Sequence, residues 1–146
     1  MPTQLLQIAP AQPGWRALHV ARTDEGSVEL IVNQVCVWGL VEETSGDESF
    51  RFVEGYDVQD IVARSTESGG FVRYLEPGED PEDFREEAEA YLVRREKREE
   101  EKRLLWEAGF RPTSKGSGQG RFVHPTTGEL LDKRTAVKQA RRLCAG

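Results

Sequence analysis

Residues 79–108 constrain this chain more than any other stretch. Asp80 is a good helix N-cap, and Pro81 falls at the first helical position, where a missing N–H costs nothing. Glu82 and Asp83 place negative charge against the positive end of the helix dipole. From Glu82 to Ala108 there is neither glycine nor proline, and Gly109 then supplies a left-handed stop. The expectation is a single helix of about thirty residues, roughly 45 Å long at 1.5 Å per residue. Its two ends are amphipathic and its middle is not. Phe84, Ala88, Tyr91 and Leu92 share one stripe, and Leu104, Leu105 and Ala108 form a second. Residues 94–103 between them contain no apolar side chain, only charges that can pair at i,i+4, such as Arg95/Glu99, Lys97/Glu101 and Glu99/Arg103. A coiled coil would put Arg98 in its seam, flanked by Arg95 and Lys102, which argues against a stable dimer. The helix therefore reads as a solvated spacer that docks on a separate apolar surface at each end.

The segments on either side of that helix differ in charge. Residues 1–76 hold 5 basic and 12 acidic side chains, residues 77–109 hold 7 and 12, and residues 110–146 hold 8 and 2. A formal net charge of −6 over 146 residues thus hides a strongly polar molecule. Three parts are expected: an acidic β-rich domain over 1–78, the charged helix over 79–109, and a basic module over 110–146. Charge asymmetry of this kind points to an electrostatic partner. The alternative is a basic tail folded back on the acidic half.

Residues 1–78 alternate in the manner of short strands. Leu5, Leu6 and Ile8 form an apolar run that stops at Pro10, and Pro13-Gly14 marks a turn. Residues 15–22 alternate between two faces, and Asp24-Glu25-Gly26 is a second turn. Residues 28–41 are rich in β-branched side chains and predict a long or kinked strand, irregular at Asn33 or Gly39. Thr44-Ser45-Gly46-Asp47 predicts a hairpin into Phe50-Arg51-Phe52-Val53. Residues 58–63 fit a short helix or a strand, and a last strand follows Gly69-Gly70 over 71–75. The expected fold class is α+β: a small antiparallel β-sheet or barrel, the long helix, and a C-terminal β-hairpin plus helix. Trp15, Trp38, Phe50, Phe52, Phe71 and Tyr74 are the expected core of the first domain.

In the tail, Arg121-Phe122-Val123-His124 and Glu129-Leu130-Leu131 predict two strands joined at Pro125-Thr126-Thr127-Gly128. Asp132 is the expected N-cap of a helix from Lys133 to about Leu143. At 100° per residue, Val137, Ala140, Leu143 and Cys144 fall on one side of it. That side is expected to pack on Trp106, Phe110, Phe122 and Leu130. Arg134, Lys138, Arg141 and Arg142 fall on the other.

Motifs for catalysis are missing. The loop over 115–120 is glycine-rich but lacks the G-K-[ST] of a phosphate-binding P-loop, and reads as a hairpin connection. His19 and His124 stand in no nucleophile motif. Cys36 and Cys144 form no C-x-x-C, and Cys36, within Val35-Cys36-Val37-Trp38, reads as a buried free thiol. Neither an enzyme nor a cofactor nor a metal site is expected. No apolar run approaches the roughly 20 residues that span a bilayer, and residues 1–4 lack a basic n-region, so a cytoplasmic protein is expected.

The order hairpin, Phe122, Gly128, basic helix over 106–143 resembles small DNA-binding modules such as methyl-CpG-binding, AP2 and integrase-arm domains. That resemblance implies a nucleic-acid partner but assigns no base-reading residue here. Over 8–78, Pro13-Gly14-Trp15, Val37-Trp38-Gly39-Leu40 and Tyr74-Leu75-Glu76-Pro77-Gly78 are similar to small uncharacterised proteins of actinobacteria and their phages, which implies no activity. Phosphate contacts need several cations on one surface, and arginine suits bidentate phosphate geometry. Lys115, Arg121, Lys133, Arg134, Lys138, Arg141 and Arg142 are the candidate site. The expected function is a non-enzymatic accessory protein, a monomer or weak oligomer, that binds the nucleic-acid backbone. The alternative is an adaptor whose basic tail docks on an acidic protein surface, and a self-assembling structural protein built on the long helix is a third reading.

Overall fold

The β-branched stretch beginning at Val28 becomes the strand on which the first half of the chain is built. In the computed structural model, which describes residues 2–57, 69–113 and 120–146, β1 is Thr3–Pro10, β2 Arg16–Arg22, β3 Val28–Ser45, β4 Glu48–Asp57 and β5 Phe71–Leu75. All pairings are antiparallel, in the order β1-β3-β2-β5, with β4 also on β3. The first half of β3 pairs with β2, and its second half pairs with β1 and β4. The irregularity expected at Asn33 or Gly39 falls instead between Val35 and Val37, close to where β3 changes partners. The expected hairpin is a two-residue turn in which Gly46 takes φ +61°, as the turns of tight hairpins require at that position. Residues 58–63 lie outside the described residues.

The chain divides into two compact units, Met1–Leu92 and Val93–Gly146. In the first, the fully buried side chains are mostly small and aliphatic: Ala17, Leu18 and Val20 on β2, Val35 and Val41 on β3, and Leu75 on β5. The aromatic core expected here is corrected. Phe50 is 56% exposed, and Phe52, Trp15, Trp38, Phe71 and Tyr74 are half-buried. Four of these rings instead form an edge-packed row, Trp15–Trp38 at 5.4 Å, Trp38–Tyr74 at 4.9 Å and Tyr74–Phe71 at 4.9 Å between centroids. The close approach of this row requires a glycine. A Cβ on Gly55 would stand 2.7 Å from Tyr74 Cε1, and the Gly55 N–H donates to the Tyr74 hydroxyl at 2.7 Å.

The helix starts as its caps dictate. The Asp80 carboxylate accepts the Glu82 N–H at 3.0 Å, Pro81–Phe84 form one 3-10 turn, and α1 runs over Arg85–Glu107. Ala88 and Leu92 pack with Val20, against Val28, Leu30 and Val72 of the sheet. At the other end Gly109 has φ +86°, the Phe110 N–H reaches the Leu105 carbonyl at 2.9 Å, and the Gly109 N–H reaches that of Trp106 at 3.1 Å. This is a Schellman stop, with its hydrophobic contact made by Leu105 and Phe110.

The second unit continues with β6 (Arg111–Pro112), β7 (Arg121–Val123), β8 (Leu130–Asp132) and α2 (Lys133–Cys144). Its sheet has the order β6-β7-β8, so the expected hairpin gains a short third strand. The His124 ring closes the β7–β8 turn, its Nδ1 accepting the N–H groups of Thr126 and Thr127. Leu105, Phe110, Leu131, Ala136, Val137 and Ala140 form the core, with Leu104, Ala108 and Phe122 against it. Four expected members are exposed: Trp106, Leu130, Leu143 and Cys144. On β8 the buried position is Leu131, which faces Phe122 across the ladder; cross-strand neighbours share a face, and Leu130 takes the other. Cys36 is half-buried rather than buried, and both cysteines are free. Among the described residues no helix is long and apolar enough to cross a membrane.

Two outcomes follow for the first unit. Gly55→Ala should cost about 1–3 kcal/mol in chemical denaturation, the price of overpacking against Tyr74. His19 is 3% exposed, and its Nε2 has no hydrogen-bond partner among the described residues. Burial pushes its pKa below 6.5, while the nearby Asp57 carboxylate opposes the shift. A lowered folded pKa means that the unfolded chain binds the proton first. The stability this group contributes is therefore complete above pH 6.5 and is lost as pH falls towards the folded value. Thermal midpoints should drop across that window in the natural protein and drop less in His19→Phe.

Candidate functional site

Positive charge concentrates in one unit. Met1–Leu92 carries 6 Lys and Arg against 19 Asp and Glu, whereas Val93–Gly146 carries 14 against 7. Asp132 sets the geometry of the cationic element. Its carboxylate accepts the Thr135 N–H at 2.9 Å and the Thr135 hydroxyl at 2.8 Å, which caps α2 and holds the Asp132 carboxyl below its ordinary range. Burial of Ala136, Val137 and Ala140 then fixes the rotation of α2. Arg134, Lys138, Arg141 and Arg142 are left exposed at i, i+4, i+7 and i+8.

These side chains do more than line a convex helix. Together with Lys97 and Glu101 of α1, and with Lys133 and Val137, they bound a groove of about 690 Å³. Among the described residues, six cations and one carboxylate line it. Lys133 Nζ lies 2.9 Å from Glu101 Oε2, and the Glu101 side chain is only 18% exposed. The Lys133 contact, with further attraction from Lys97 and Arg141, holds the Glu101 carboxyl below the usual glutamate range. One carboxylate cannot neutralise six cations, so the groove keeps a strong positive potential.

Of the seven candidate residues, five line this groove: Lys133, Arg134, Lys138, Arg141 and Arg142. Arg121 is exposed at the start of β7 and lies outside it, and Lys115 lies outside the described residues. Lys97 and Glu101 were missed. Their i,i+4 spacing predicts a pair on a solvated spacer, but Glu101 turns to Lys133, and Glu99 bonds Lys102 at 3.1 Å. The signal that could have found them is the second apolar patch of α1: the helix face that brings Leu105 into the core carries Glu101, four residues earlier, to the edge of α2. Among the described residues no three His, Cys, Asp or Glu side chains converge as a metal site.

A second feature of this unit lies on a different face of α1. The Arg111 guanidinium carbon sits 3.7 Å above the Trp106 ring, and Arg111 Nη1 donates to the carbonyls of Trp106 at 3.1 Å and Phe110 at 2.9 Å. Comparison with protein-family models, with curated proteins and with solved structures finds no match to this chain.

The Glu101–Lys133 contact makes a direct prediction. In Lys133→Met the Glu101 carboxyl should titrate higher, back towards 4.5, in a carbon-detected NMR pH titration. The contact contributes stability above about pH 4.5 and loses it as pH falls through the lowered folded value, so the variant should show a weaker acid dependence of helicity.

Proposed function

We propose that residues 93–146 form a polyanion-binding module whose ligand is the phosphate backbone of nucleic acid, within a non-enzymatic accessory protein of the cytoplasm. The observation that carries this reading is the groove bounded by Lys97, Lys133, Arg134, Lys138, Arg141 and Arg142, with Glu101 the one carboxylate among its described lining residues. Three arginines supply planar donors suited to phosphate oxygens, and the lysines add point charges. These cations suit phosphate oxygens, and contacts to the backbone position a protein on nucleic acid without carrying sequence information. The net charge of −13 on Met1–Leu92 repels nucleic acid and confines contact to the second unit. The tail's order of hairpin and basic helix also resembles that of small DNA-binding modules, which favours the same partner.

Binding of the full chain to a DNA duplex tests this reading. Five or so phosphates neutralised by the groove predict a slope of log K against log salt of about −4 to −5. Arg134→Glu with Arg141→Glu should abolish binding, and Glu101→Gln should strengthen it several-fold by removing the opposing charge. Absence of binding at low salt overturns the nucleic-acid reading and favours the alternative, an adaptor docking on an acidic protein surface.

A further inference from the structure

We infer that the Trp106–Arg111 pair is a stacking platform for an unpaired nucleobase, giving the module a contact with single-stranded nucleic acid that the groove does not provide. The inference rests on the nucleic-acid reading and adds to it the state of the strand. Trp106 is 64% exposed, although Leu105 beside it and Phe110 four residues on are fully buried. An indole left in water at that position is not part of the fold's core. Trp15 and Trp38, by contrast, are half-buried and packed on each other.

The platform is also rigid. Gly109 reverses the chain so that Arg111 returns beside the last turn of α1, and its guanidinium is held by two backbone carbonyls while it covers part of the ring at 3.7 Å. A fixed flat π surface next to a fixed positive charge meets both demands of a nucleotide. The base stacks on the ring or on the guanidinium plane, and the phosphate finds a cation. In a duplex the bases are already stacked on one another, so only an unpaired base can use the surface. At 100° per residue, Trp106 stands about 180° around α1 from Lys97, so the platform is separate from the groove.

The test compares the full natural chain with Trp106→Ala and Trp106→Phe, measuring affinity for an oligothymidylate and for a duplex of the same length. Trp106→Ala should weaken single-strand binding by about fivefold or more and leave duplex binding unchanged. Trp106→Phe should retain most of the single-strand affinity, and circular dichroism should match the natural protein for both variants. Unchanged single-strand affinity in Trp106→Ala overturns the inference, as does an equal loss on both ligands. In either case the natural chain still binds the duplex, which separates these outcomes from failure of the underlying reading, in which the natural chain binds neither ligand and both proposals fall.

Discussion

A helix with no apolar side chain between residues 94 and 103 can be held only by its ends, and the fold follows from that constraint. Ala88 and Leu92 enter the core of the first unit, and Leu105 enters the core of the second. Neither patch would hold a helix of 23 residues alone, because helical stability in proteins comes mainly from burial of an apolar face. The Schellman stop at Gly109 has a further consequence. It brings Phe110 into the second core and starts the short strand β6, so the end of the helix and the start of the basic module are one structural event.

Packing in the second unit also decides its electrostatics. The core is small, and three of its members, Ala136, Val137 and Ala140, come from α2. Burying those three dictates which side of α2 is wet, and that side holds four of the cations. The contact with α1 then places Lys97 and Glu101 on the same groove. Glu101 offsets one charge and orients Lys133. Surface ion pairs contribute little stability, so this pair matters for the shape of the potential more than for the fold.

Much of the fold was legible in the sequence. Asp80, Pro81, Gly109 and Asp132 mark their helix ends through backbone chemistry that is local, and the structure shows each cap where those residues stand. The strands of the first unit were legible from alternation and turn glycines, and the α+β class with them. What escaped depends on contacts between distant residues. Leu130-Leu131 is apolar at both positions and so carries no parity; only pairing with Phe122 selects Leu131. Trp106 sits beside the helix stripe that docks, and its size suggested burial where its angle denied it. The irregularity at Cys36 arises near the change of partners along β3, which no local pattern records. Of the five candidate site residues on α2, Arg134, Lys138, Arg141 and Arg142 share a face by simple periodicity, whereas Lys133 and Lys97 join them at the groove only through tertiary packing.

We propose that contact with a DNA duplex is confined to the groove of the second unit. Amide chemical-shift mapping of the full isotope-labelled chain during titration with a DNA duplex tests it most directly. The account predicts shifts at Lys97, Glu101, Lys133, Arg134, Lys138, Arg141 and Arg142, with β1 to β5 unmoved. Shifts centred on those strands, or none anywhere at low salt, would contradict it.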